Sequence, residues 1–315
     1  MPLQLNQVMI YLTLTHINSA FQRMDTSTTT GTSTIPATTA FQGGISNRLA
    51  NFPWWALFIL LAAVFLVYNF TTNSTYQEII TTLIVGIRLT IFVTISAYFF
   101  AIILGLLTAL GQLSTNVLVK NIALLYVQIV RGVPILVQIF YVTFVLVPLF
   151  ISAMNSLGGW LANIGLLEVD NNLVNMTVRD VSFVARGIIA LAIAYGAFSS
   201  EIFRAGIQSI EKGQIEAAHA LGLNWVKTMR LIVLPQAVRR ILPPLGNDFI
   251  SMLKESSLVS VIGVNEITQL GKKYAAASFL FPQTYNTLAF LYLSMTLILS
   301  MGVKYMERRL KKGER

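Results

Sequence analysis

"KGQIEAAHALGLNWVKTMRLIVLPQAVRR", residues Lys212–Arg240, decides how this chain is read. It is charged and water-compatible, yet it interrupts a chain that is 55% hydrophobic and only 11% charged. Soluble domains carry about 25% charged residues. That deficit, with a mean hydropathy of +0.69, points to an integral membrane protein. The segment is then a water-side device between membrane helices. Glu211 and Asn224 are candidate helix starts, Asn224 the better cap. Gly222 follows the helix-forming run "IEAAHAL" and suits a left-handed helix end. Ala217, Ala218 and Leu221 fall at helical spacing, and the small alanines admit close approach of another surface. Pro235 is expected to stop the second helix. The expectation is a bent helix pair.

Working outward, spanning helices need about 20 mostly apolar residues. Six candidates occur: Trp54–Thr71, Ile84–Gln112, Ile122–Phe150, Phe183–Gly206, Ile241–Val264 and Thr284–Met306. The first is short but uncharged, with Trp54 and Trp55 placed like an interfacial belt. The fourth carries Glu201 and Arg204. The fifth carries Asp248, Lys254 and Glu255 and is the weakest by hydropathy.

Loop charges orient the spans. The 207–240 loop holds five Lys or Arg against two Glu, and the tail 303–315 holds six against two. Both belong in the cytoplasm by the positive-inside rule. The 151–182 loop has three acids against Arg179 and belongs outside. Six spans satisfy this with both termini cytoplasmic. Lys272 and Lys273 fall on the outer side and disagree mildly.

Residues 1–53 are polar and Thr-rich and read as a flexible arm, with a short surface segment at 1–14. They lack the features of a signal peptide. The chain has no Cys and two His, His16 and His219. Disulfide and thiol chemistry are excluded, and a His-built metal site is improbable on that count. The net charge of +9 fits cationic cytoplasmic loops better than nucleic-acid binding. "EITQLGKKY", Glu266–Tyr274, is the nearest approach to a phosphate-binding loop. It has Glu where Gly is required and Lys273 where Ser or Thr is required. The chain is therefore expected to lack an ATPase site.

The 212–240 pair has three readings: a solvated loop, a DNA-reading helix-turn-helix, and a docking surface for a cytoplasmic partner. Tethering to membrane helices on both sides disfavours DNA. An ordinary loop would not keep small residues on one helix face.

Here the residues carry a resemblance. "EAAHALG", Glu216–Gly222, followed by "LPQ", Leu234–Gln236, resembles the EAA loop of ATP-binding-cassette (ABC) importer permeases. "RGVPILVQ", Arg131–Gln138, is similar to the "RGTPLLVQ" of polar amino-acid permeases (the histidine, glutamine and arginine group). "EIFRAGIQSIEKGQIEAAHALG", Glu201–Gly222, and "LPPLGNDFISMLKESSLVSVIGV", Leu242–Val264, match that subfamily as well. The resemblance covers about residues 75–312. Val133 replaces the usual Thr or small polar residue, and the 151–182 loop looks longer than usual. The arm and the 54–71 helix stand before the common five-helix core.

The resemblance implies an all-α integral membrane protein of the type I ABC importer permease kind, with about six transmembrane helices. The domains are then a 1–53 arm, an extra helix at 54–71, and a permease domain at 75–312 with a coupling loop at 207–240. The implied coupling residues are Glu216, Ala217, Ala218, Leu221, Gly222 and Pro235. The implied partners are an ATPase carrying ATP and Mg, a second permease subunit (identical or homologous), an extracytoplasmic substrate-binding protein, an amino acid and the lipid bilayer of a bacterial inner membrane. No cofactor is expected in this chain, and no nucleic acid.

A charge at mid-bilayer costs about 3 kcal/mol or more and usually meets a partner or a water-filled cavity. Glu201 and Arg204 share a helix face and can pair. Lys254 and Glu255 are adjacent and point apart. Both sets are either structural ion pairs or part of a substrate path. On the path reading, Glu201 is the first acidic candidate, beside Ser199 and Ser200. Lys254 and Glu255 join it, and Gln138 and Asn247 supply neutral hydrogen bonds. Arg131 is either a snorkelling anchor or a ligand. Gly132 and Pro134 should break or bend the chain before the third span. The alternatives to an ATP-driven importer are a stand-alone secondary transporter, which would show internal repeats with paired broken spans, and a structural or signalling membrane protein.

Overall fold

The computed structural model describes residues 54–166, 168 and 173–311. The 1–53 arm and its 1–14 segment lie outside the described residues. One compact unit spans Ile59–Arg315. The described residues form helices and no strand. In chain order these are α1 (Trp54–Thr72), α2 (Ser74–Gln112), α3 (Val117–Gly132), α4 (Ile135–Asn163), α5 (Phe183–Gln208), α6 (Lys212–Ala220), α7 (Trp225–Thr228), α8 (Leu234–Glu255), α9 (Ile267–Ser278) and α10 (Phe281–Lys311).

Local chemistry sets several starts. Asn73 caps α2 by accepting from the Thr75 amide at 3.0 Å. Asn116 caps α3 by accepting from Leu118 and Val119. Ser182 caps α5 through the Ala185 amide. Each satisfies a backbone donor that a helix start leaves orphaned.

Among the described residues, four helices are long and apolar enough to cross a membrane: α2, α4, α5 and α10. α1 contributes a shorter apolar run, Ala56–Thr72. The expected fifth span differs in kind. α8 ends at Glu255 and passes into a 3-10 stretch, Ser256–Ile262, and it is strongly amphipathic, with Pro243 and Pro244 inside.

Other boundaries move too. The expected span Ile122–Phe150 is two helices, broken at Val133–Pro134. The second continues to Asn163, so the first part of the expected 151–182 outer loop is helix. No charge or proline interrupts "ISAMNSLGGWLAN", and the helix runs through Gly158 and Gly159, a pair that ordinarily weakens a helix. α9 occupies a stretch that no apolar window marks, because its buried residues are the few at Ile267, Gly271 and Ala275.

Pro235 does not stop its helix. The chain runs from α7 through a π-turn, Met229–Val233, into α8 with Pro235 near the α8 start. A second π-turn, Val142–Leu146, precedes Pro148 in α4. Proline lacks an N–H and its ring clashes with the carbonyl four residues back. A turn widened by one residue relieves that clash, and the bonds Val147 N–H to Val142 O and Leu234 N–H to Met229 O carry the helix past it.

The main core joins α2, α4, α5 and α8 around Val93, Ile139, Leu191, Tyr195, Met252 and Val259. α5 is the central helix, rich in Ala, Gly and Ser, which lets neighbours approach closely. At Gly105 of α2 an added Cβ would stand 2.8 Å from the Ser199 Cβ, so this crossing admits glycine alone. α9, α10 and α2 close a second cluster around Ile79, Leu83 and Ile267. The opposite side of α2 exposes Val85, Phe92, Phe99 and Leu107, each more than half accessible, which suits a lipid solvent.

Candidate functional site

The 212–240 segment forms a hairpin. Gly222 ends α6 at φ +76°, the left-handed region open to glycine. The Leu223 N–H donates to Ala218 O at 3.1 Å and the Gly222 N–H to His219 O at 2.9 Å. This pair of bonds satisfies the last α6 carbonyls in a Schellman turn. His219 Nδ1 lies 3.0 Å from Leu223 O and ties the turn down. Asn224 opens α7 by accepting from the Lys227 amide at 2.9 Å, whereas Glu211 precedes α6 without a side-chain cap.

Ala217, Ala218 and Leu221 do not share an environment. Ala218 is buried against the hairpin, while Glu216, Ala217 and Leu221 face outward. Leu221, Trp225 and Val226 are 83%, 66% and 62% exposed. The turn therefore presents three large apolar side chains, with the Glu216 carboxylate also exposed on α6, an arrangement that water does not favour and a partner's surface does.

The hairpin is joined to α8 and to the end of α5. The Gln236 side-chain amide donates to Gln214 Oε1 at 2.7 Å and to Ile232 O at 3.0 Å. The Arg240 guanidinium donates to Ser209 O, just past α5.

At the break before α4, Val130 O has no helical donor, because the residue four places on is Pro134. Gln138 replaces it: its side-chain amide donates to both Val130 O and Val133 O at 2.7 Å. Gln138 is 8% exposed. It borders an almost wholly apolar cavity of ≈ 440 Å³ lined also by Val133, Val137, Tyr141 and Ile193. Gly132 and Pro134 are exposed beside it.

Across this break, Arg131 and Arg204 flank Glu201. Arg204 Nη2 is 2.5 Å from Glu201 Oε2 and Arg131 Nη1 is 3.7 Å from the same oxygen. Arg131 also sits over the Phe198 ring at 5.7 Å. The cluster links the end of α3 to α5.

Ser199 and Ser200 are fully buried. The Ser199 hydroxyl donates to Asp248 Oδ2 at 2.9 Å. The Ser200 hydroxyl donates to Ala197 O and accepts from Gln112 Nε2. Both fasten α5 to its neighbours. Asp248 and Gln112 belong to this network although sequence alone singles out neither as a partner. Contacts 49 and 88 residues apart leave no local signature.

On α8, Arg240, Asn247 and Lys254 are exposed and Ser251 is half-buried. Their spacing of three, four or seven residues makes one polar stripe. Glu255 turns away from it, half-buried, with Oε2 in no hydrogen bond. Glu255 faces the Tyr195 hydroxyl instead.

Residues 101–312 match the family described as "Binding-protein-dependent transport system inner membrane component". The chain is 34% identical over 234 residues to the probable amino-acid permease protein YxeN of Bacillus subtilis (strain 168), covering 74% of this chain and 93% of that one. It is 34% identical to the glutamine transport system permease protein GlnP of Escherichia coli (strain K12), with 73% and 93% covered. A crystal structure of an amino acid ABC transporter with histidines superposes at TM-score 0.60 and 32% identity, covering 76% of this chain and 98% of that one. The inward-facing MetNI methionine ABC transporter, at 16% identity, TM-score 0.54 and 74% and 98% coverage, shares the fold. The described bundle and the match over residues 101–312 agree: the chain belongs to the family of binding-protein-dependent transport system inner membrane components.

Proposed function

We propose that this chain is the permease of an ATP-driven amino-acid importer, and that the 212–240 hairpin is where it receives work from a separate ATPase. The observation that carries this is the hairpin end: Leu221, Trp225 and Val226 are exposed around the turn, and Glu216 is exposed on α6. Gly222 sets the tip's shape, and Pro235 marks where the hairpin hands over to α8. ATP and Mg belong to the ATPase partner. A second permease, identical or homologous, completes the central cavity, and an extracytoplasmic binding protein delivers cargo. Both termini are assigned to the cytoplasm, in keeping with the positive-inside rule.

The substrate path runs along the α8 stripe. A polar stripe on an embedded helix requires water or a partner rather than lipid. Asn247 and Lys254 line it, with Glu201 held at its cytoplasmic side by Arg131 and Arg204 and Glu255 set behind it against Tyr195. Lys254 suits a carboxylate and Glu201 suits an ammonium group, the two charges every amino acid carries. Gln138, Ser199 and Ser200 support the wall behind the path. Gly132 and Pro134 place the break that separates α3 from it.

Reconstituted uptake tests the reading. Vesicles holding this chain, its ATPase and its binding protein should accumulate radiolabelled amino acids only with internal ATP. Accumulation without the ATPase would refute it in favour of a stand-alone transporter.

A further inference from the structure

Work received at the hairpin tip must reach the membrane helices, and the hairpin has few ways to pass it on. α6 packs against α7 and the π-turn that follows. Gly213 and Gln214 near its start are exposed. The side chain of Gln236 spans this gap. One amide N–H goes to Gln214 Oε1 on α6, and the other to Ile232 O inside the π-turn. One residue therefore grips the hairpin and the turn that begins α8. One helical turn further on, Arg240 grips Ser209 O at the end of α5.

We propose that Gln236, with Gln214 as its acceptor, is the positioning joint that converts movement of the coupling hairpin into movement of α8. This rests on the importer reading above. The geometry favours transmission over mere stability. Gln214 and the bond are exposed, and an exposed hydrogen bond adds little to folding free energy. Its direction is the informative part: it ties α6 to the first turn of α8, the helix that carries Asn247 and Lys254. Without it, α6 can shift against α8 through the π-turn, whose wider hydrogen bonding is more compliant than α-helix. Tip displacement would then be absorbed before it reached the path.

The test uses the full complex in liposomes with a radiolabelled amino-acid mixture, measuring uptake and ATP hydrolysis together. Gln236→Leu keeps the side chain's bulk and removes both bonds. Uptake per ATP should fall about fivefold, the factor for one hydrogen bond of ordinary net strength. ATPase co-purification should be unchanged and hydrolysis should persist. The pair Gln214→Glu with Gln236→Lys rebuilds the link as an ion pair and should restore uptake per ATP. Unchanged uptake per ATP in Gln236→Leu overturns the joint. So does loss of ATPase association in that variant, which would make Gln236 a docking residue, and so does a failure of the ion pair to restore coupling. If the unsubstituted complex takes up amino acid without ATP, the importer reading itself has failed, and the two failures are distinct.

Discussion

Gln138 donates its side-chain amide to the carbonyl of Val130 at 2.7 Å, across the point where Pro134 denies that carbonyl a backbone donor. The motif "RGVPILVQ" thus contains both the break and its repair, four residues apart. Gln138→Leu would leave the Val130 and Val133 carbonyls unpaired in a mostly buried place. It should lower the unfolding free energy by about 2 kcal/mol, read as an earlier thermal transition in detergent. Gln138→Glu should not rescue it, because a carboxylate cannot donate.

Glu201 neutralises two arginines. Glu201→Gln leaves Arg131 and Arg204 facing each other without an anion. Because both guanidiniums are partly exposed, the stability loss should be no more than about 1 kcal/mol. Uptake kinetics should change while the ATPase still co-purifies. Identical uptake kinetics for all amino acids would remove Glu201 from the path and leave it a structural ion pair.

The hairpin tip allows a separate prediction. Glu216→Lys inverts an exposed charge on α6, and Gly222→Val forces a β-branched residue to φ +76°, a strain of about 1–2 kcal/mol. Both variants should insert into the membrane and fail to hold the ATPase. Affinity pull-down from solubilised membranes checks this, and full ATPase recovery in both would exclude the tip as the docking site.

In the loop before α5, Asp180 accepts from the Thr177 amide at 2.6 Å and from its hydroxyl at 2.9 Å. These bonds hold its carboxyl below the ordinary value of 3.8. A lowered folded-state value means that the contribution is present above the unfolded value and is lost as pH falls through the folded one. Protection of the Thr177 amide from hydrogen exchange should therefore persist to more acid pH than a free aspartate would allow. Asp180→Ala should abolish that protection at every pH.

Much of this molecule was legible because its signals are local. Asn224, Gly222 and Pro134 act on neighbours within a few residues, and long apolar runs declare α2, α5 and α10. Three things were not legible. α4 runs on past Phe150 because an uncharged helix announces no end. Ser199 and Ser200 read as path residues because they stand beside Glu201, but they turn toward Asp248 and Gln112, whose proximity only folding creates. Pro235 reads as a stop because proline normally is one. The π-turn that lets the helix pass it has no pattern in hydropathy.

That π-turn also fixes a compass bearing. Each α-helical residue advances the chain by about 100° around the axis. A turn holding one residue more than an α-turn therefore resets every face downstream. Were Met229–Val233 to tighten into ordinary α-helix with no residue lost, α8 would swing by about that angle about its own axis. Lys254 would leave its stripe for the side that Glu255 now takes, and Ile250 and Leu253, now buried, would take over the polar lane.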